Sequence, residues 1–168
     1  MESYPVHLSG GMKQRVLAAM GMSGTPALLI ADEPTKGLDA LIRGQVIVTI
    51  EKFIETTGSA ALIITHDLKF ASAICDEIVV MYAGEIIESG DVDELFMNPK
   101  HPYLKGLIAS RPEKGLQVME GTACSLLNLP SGCRFYDRCQ TAGKECSNVH
   151  PGIVSVNGTH EVRCLQLD

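Results

Sequence analysis

The chain has 168 residues, of which 45% are hydrophobic and 5% aromatic with no Trp, and a formal net charge of −6. This is enough apolar material for one domain and an appendage, yet no apolar run approaches the ~20 residues of a membrane-spanning helix. Residues 1–110 carry 8 Lys and Arg against 14 Asp and Glu, and residues 111–168 carry 6 of each; with no basic stripe and few aromatics for stacking, a nucleic-acid surface is disfavoured.

In chain order the pattern alternates helix and strand. Ser9 is suited to cap a helix to about Ser23, with Val16, Ala19 and Met20 facing inward, before Gly24-Thr25-Pro26 ends it. The short apolar run Ala27–Ala31 reads as a strand buried on both faces. Asp39 precedes a helix to about Thr57 that Gly58 stops, Ala60–Thr65 is the next buried strand, and Asp67–Cys75 a short helix. Glu77–Tyr82 and Glu85–Glu88 flank Ala83-Gly84 as a hairpin. Asp91 and Glu94 have capping-box spacing for a helix that Pro99 ends, and Pro102 suits the first turn of another, to about Ser110. Strand, crossover helix and strand predict a parallel α/β core, with Pro112 to Gly121 as linker.

Two segments carry chemistry. Leu8-Ser9-Gly10-Gly11-Met12 opens onto the first helix, and Ile30-Ala31-Asp32-Glu33-Pro34 begins nineteen positions after Gly11. The free N–H groups and aligned dipoles of a first helical turn favour an anion, and two glycines let the backbone approach it. The Ser9 hydroxyl adds a donor. Downstream, an apolar strand ending in paired carboxylates delivers a metal ligand and a base to a sheet edge. No G-x-x-x-x-G-K-[ST] occurs in these residues, so no loop of that kind is at hand to wrap the β- and γ-phosphates.

LSGGM, LLIADEPTKGLD and IITHD, in this order across residues 8 to 67, resemble the ATP-hydrolysing subunit of an ABC transporter. The resemblance implies the C-terminal part of an ABC-type P-loop ATPase domain over residues 1–110, with a linker and Cys-rich extension over 111–168. An expressed piece, a truncated gene or a mis-set start codon would account for the missing upstream part. By resemblance, Asp32 would hold Mg²⁺, a hard cation that wants oxygen ligands. Glu33 would polarise the attacking water, and His66 would contact the γ-phosphate and orient that water. Ser9, Gly10 and Gly11 would close over ATP held by a partner subunit, and Asp39 lies in the loop through which two subunits meet. Gly37 stands where the family commonly has Ala, and Met12 where Gln is frequent. Alone, the chain is expected not to hydrolyse ATP.

Leu95-Phe96-Met97-Asn98-Pro99-Lys100-His101-Pro102-Tyr103 and Asn128-Leu129-Pro130-Ser131-Gly132-Cys133-Arg134-Phe135, with Arg138-Cys139 beyond, resemble the tail of importers of oligopeptides, dipeptides and nickel. That branch implies a peripheral position on the cytoplasmic face of the cell membrane. It also implies permease subunits, a second and paralogous ATPase subunit, and indirectly an extracytoplasmic binding protein. Two other readings stay open: a non-catalytic remnant serving as a metal-binding or interaction module, and a soluble ABC ATPase outside transport.

Five of the six cysteines fall between 124 and 164, four of them spaced Cys133-x5-Cys139-x6-Cys146-x17-Cys164. Disulfides suit a cytosolic protein poorly. Zinc sites favour paired C-x2–4-C knuckles, absent here, whereas the ligand spacing of a [4Fe–4S] cluster is more varied. Zinc, a cluster or plain thiols all remain, and the resemblance to peptide importers tips the choice to a cluster on Cys133, Cys139, Cys146 and Cys164. Cys124 reads as a spare thiol and Cys75 as small core packing.

Overall fold

The computed structural model describes residues 4–111, 115 and 118–167. By packing, the chain divides into two compact units, Met1–Cys75 and Asp76–Asp168. The division expected at residue 110 is one of motif content. Most of its linker, residues 112–114, 116 and 117, lies outside the described residues.

The first unit is built on a parallel pair, β1 (Leu28–Asp32) beside β2 (Ala60–Ile64), in register from Leu28↔Ala60 to Asp32↔Ile64. Helix α1 (Gly10–Met22) precedes β1, α2 (Ala40–Thr57) is the crossover, and α3 (Leu68–Ile74) follows β2. A short 3-10 turn, Pro5–His7, leads in. The caps follow the sequence: Ser9 accepts from the Met12 N–H, Asp39 from Ile42, and Asp67 from Lys69 and Phe70. Gly58 ends α2 at φ 68°, where a Cβ would be strained.

The core here is one-sided. Leu29, Ile50 and Phe70 are buried, with Met22, Val46, Ile47, Phe53, Ile54, Ile63 and Ile74 packed against them. Two expectations are corrected. β1 and β2 are not covered on both faces, since Leu28, Ile30, Leu62 and Ile64 are about half exposed. Helix α1 buries no residue at all, and Val16, Ala19 and Met20 are exposed. The apolar pattern is genuine, but among the described residues of this unit nothing closes those faces from solvent. An open groove of about 1140 Å³ runs along α1, β1 and α2.

The second unit holds a four-stranded antiparallel sheet of order β3-β4-β6-β5. β3 (Glu77–Tyr82) and β4 (Glu85–Asp91) form the expected hairpin, turning through Ala83 at φ 47° and Gly84 at φ 81°. β5 (Val154–Asn157) and β6 (His160–Val162) form a second hairpin at its edge. Two helices, α4 (Val92–Met97) and α5 (Pro102–Ala109), follow β4. Asp91 caps α4 through the Asp93 and Glu94 N–H groups, while Glu94 accepts from the Asn98 side chain. Between α5 and β5 the described residues of the tail include two 3-10 turns, Tyr136–Arg138 and Lys144–Ser147. Its core joins Val80, Tyr82, Ile87, Leu95, Leu104, Ile108, Phe135, Cys146 and Val162. Mixed α/β structure is thus observed, the tail being attached to an antiparallel sheet. Among the described residues no helix is long and apolar enough to cross a membrane.

Candidate functional site

In the first unit the parallel pairing brings the C-terminal ends of β1 and β2 together, because a parallel register sets Asp32 opposite Ile64. The chain leaves β1 at Glu33, whose N–H donates to the Ile64 carbonyl at 2.8 Å. Glu33 takes a φ of 47°, a region that costs a non-glycine residue about 1 kcal/mol or more and that recurs at functional sites. This turn aims its carboxylate across the strand ends. Oε1 lies 2.6 Å from Nδ1 of His66 and also accepts from the His66 backbone N–H at 3.2 Å. Two candidates thirty-three residues apart therefore form one exposed dyad. Asp32 ends β1, exposed, one residue before it.

Ser9 caps α1, so the N–H groups of Gly10 and Gly11 belong to an exposed first turn. The loop after Pro34 turns back through Lys36 N–H to Glu33 O (3.1 Å) and Leu38 N–H to Thr35 O (3.2 Å). Gly37 sits there at φ 73°, which gives the departure from the common Ala a physical account. Two residues the sequence reading passed over hold this loop. Gln14 of α1 donates from Nε2 to the Lys36 carbonyl at 2.8 Å. Arg43 of α2 reaches the Leu38 carbonyl at 3.5 Å and pairs with Asp67 at 2.8 Å. Nothing in one sequence marks these side chains, because each contact spans more than one helical turn of separation.

In the second unit the two tail segments have definite structural work. His101 caps α5, its buried Nδ1 accepting from the Tyr103 N–H at 3.0 Å. Burial, and then the charge of Lys105, push the His101 imidazole down to about 4, so the acceptor lone pair is kept. Tyr103, Tyr82 and Phe135 pack edge-on and tilted in one aromatic group. Arg134 donates to the Ala83 carbonyl at 2.6 Å and pairs with Glu85 at 2.8 Å, closing the tail onto the β3–β4 turn. Glu85 also meets His150 at 2.8 Å. Gly132 has no room for a Cβ beside the Cys146 carbonyl and Ser147.

A buried carboxylate that the sequence reading missed, Glu88, organises this unit. It accepts from the Lys100 N–H (2.7 Å), the His101 N–H (2.8 Å) and His160 Nε2 (2.9 Å). On the far side of that imidazole, Nδ1 of His160 is 3.6 Å from Glu94. The amides of Asn98 and then Asn157 hold the Glu94 carboxyl below its ordinary range.

None of the six cysteines is in a disulfide. Burial pushes the Cys133 thiol up, opposed by a bond from the Phe135 backbone and reinforced by Cys146, Cys164 and Cys139. The Cys164 thiol is raised in the same way, burial first, with Cys139 and Cys146 adding to it. The four thiols therefore share one neighbourhood. Among the described residues, however, no group of three or more His, Cys, Asp or Glu stands where it could hold a metal ion. Cys139 Sγ turns to the Thr141 hydroxyl (3.5 Å) and Cys164 Sγ to the Gln166 backbone (3.4 Å to N). Each of those two thiols is satisfied within its own loop.

The comparisons with known proteins divide along the same chain. Residues 87–146 match the family described as the oligopeptide/dipeptide transporter, C-terminal region. A Brucella ovis protein described as a candidate peptide import ATP-binding protein is 43% identical over 174 residues, covering 97% of this chain and 52% of its own. The oligopeptide transport ATP-binding protein AppD of Bacillus subtilis is 41% identical, with 98% of this chain and 52% of its own covered. OppD of Haemophilus influenzae, also an oligopeptide transport ATP-binding protein, is 40% identical over 94% of this chain and 50% of its own. Over nearly its whole length the chain is similar to the ATP-binding subunits of peptide importers. Its tail matches the oligopeptide and dipeptide branch of them, and the chain spans about half the length of these relatives.

Proposed function

We propose that this chain supplies the signature, water-orienting and switch elements of an ATP site in an importer of peptides. The Glu33–His66 contact at 2.6 Å is the observation that carries this reading. Glu33 polarises the attacking water, His66 fixes that carboxylate and meets the γ-phosphate, and Asp32 offers oxygen ligands to Mg²⁺. Ser9, Gly10 and Gly11 present their donors to ATP held by a second subunit, with Asp39 at the junction. The second subunit is a paralogue, and the pair works on permease subunits at the cytoplasmic face of the membrane, with a substrate-binding protein beyond. Peptide is the better-supported cargo, from the relatives' names; nickel rests on the resemblance alone.

The test is ATP turnover with and without the partner subunits. The purified chain alone is expected to be silent, and turnover by it without a partner would sink the composite-site reading. In the assembled importer, Glu33→Gln is expected to lower turnover by about 10²-fold or more while Mg·ATP still binds.

For the tail we infer a thiol set for a metal, iron–sulfur ahead of zinc, supported by the shared neighbourhood of Cys133, Cys139, Cys146 and Cys164. Such a group would clamp a segment with few apolar contacts of its own. Near four iron and four sulfide per chain, on protein purified without oxygen, is the expected outcome. One zinc without sulfide names the other metal, and no metal reduces the set to thiols.

A further inference from the structure

We propose that Gln14 and Arg43 are positioning residues that clamp the loop Lys36–Asp39 from opposite helices. Through it they fix the signature turn at Ser9 relative to the switch residue His66. The proposal rests on the ATP-site reading above.

The connections run in one direction around the unit. Ser9 caps α1, and one turn further on Gln14 donates to the Lys36 carbonyl at 2.8 Å. Two residues along the loop, the Leu38 carbonyl accepts from Nη2 of Arg43 at 3.5 Å. Nη1 of the same guanidinium is 2.8 Å from Asp67 Oδ2, while Asp67 Oδ1 caps α3. Asp67 follows His66, which closes on Glu33. A planar fork suits this task, because one rigid group holds a carbonyl and a carboxylate at once.

The expense of the arrangement marks it as more than packing. Oε1 of Gln14 and Nε of Arg43 are both buried without a hydrogen-bond partner among the described residues. A buried polar atom left unpaired is destabilising, and an apolar side chain of similar shape would avoid that cost. Gln14 nevertheless gives its amide nitrogen to this loop, and Arg43 divides its two terminal nitrogens between the loop and Asp67. That is the pattern expected where geometry matters more than stability.

The experiment has two readouts on Gln14→Met, Arg43→Met and their double variant, with Arg43→Lys as the conservative control. The first is amide exchange at Leu38 in the chain itself, whose N–H is bonded to Thr35 O. About tenfold faster exchange is expected in each single variant, as for loss of one modest hydrogen bond, and less than the product of the two in the double. The second is Mg·ATP-dependent association with the partner ATP-binding subunit, expected to weaken about tenfold and to be partly restored by Arg43→Lys. Unchanged exchange overturns the clamp. Faster exchange with unchanged association overturns the positioning role and leaves a purely structural tie. Should the wild-type chain fail to associate at all, the composite site and the positioning role both fall, while exchange still decides the clamp.

Discussion

Leu17, Met20, Ile30 and Leu62 of Met1–Cys75 stand half exposed or more, whereas Leu95, Leu104 and Val162 of Asp76–Asp168 are all but closed from solvent. The two units have similar apolar patterning in sequence and opposite uses for it. The first closes a single core around Leu29, Ile50 and Phe70 and leaves its chemical groups on strand ends and helix caps. The second closes around a buried carboxylate, two buried imidazoles and a group of aromatic rings. Buried polar residues therefore hold the second unit together, while in the first the groups of the candidate site are presented outward. A substitution of one type should accordingly have different consequences on the two sides.

The largest effect is expected at Glu88. Replacing it by Ala strands the buried donors of His101 and His160 and the half-buried one of Lys100, and should cost about 3–5 kcal/mol in urea unfolding of the chain. A loss under ~1 kcal/mol would show that the second unit does not depend on its buried polar groups. Next comes a contrast within the first unit. Ile50→Ala in its core should cost about 3 kcal/mol, against less than ~0.5 for Leu17→Ala on the open face of α1. Equal costs for the two would mean that α1 is covered in solution.

The third effect is one of pH. His101 is held to about 4 in the folded chain, below its ordinary 6.5, so the unfolded chain takes up the proton first. The stabilisation is therefore complete above about pH 6.5 and is lost as pH falls towards 4, about 2 kcal/mol of it between pH 7 and 5. Following the unfolding midpoint of the second unit across that range checks this. His101→Asn, which keeps a capping side chain but cannot titrate there, should flatten the slope. The smallest effect belongs to Ser9→Ala, about 1 kcal/mol from a 3.3 Å cap on an exposed helix, read by the same unfolding curves.

Much of this was legible from residue types. Ser9, Asp39, Asp67 and Asp91 announced helix starts, Gly58 a stop and Ala83-Gly84 a turn, because caps and turns are local chemistry. The motif order also brought Glu33 and His66 under suspicion together. What was illegible depends on contact across the chain. No local rule says that α1 lacks a covering layer, or that Glu88 in a strand pattern is the acceptor for two helix-loop amides and a distant imidazole. The second hairpin is different: Val154-Ser155-Val156-Asn157 alternates and runs into a two-residue Gly158-Thr159 turn, so its signal was present and went unread. Spacing alone likewise does not tell whether Cys139 and Cys164 turn towards one another or to their own loops.

The backbone at Glu33 has a consequence for anyone who improves this protein by selection. At φ 47° a glycine would relieve about 1 kcal/mol of local strain and would also remove the carboxylate that His66 holds. A screen rewarding only heat resistance or expression would therefore be drawn to Glu33→Gly as a gain, and would silence the site while reporting progress.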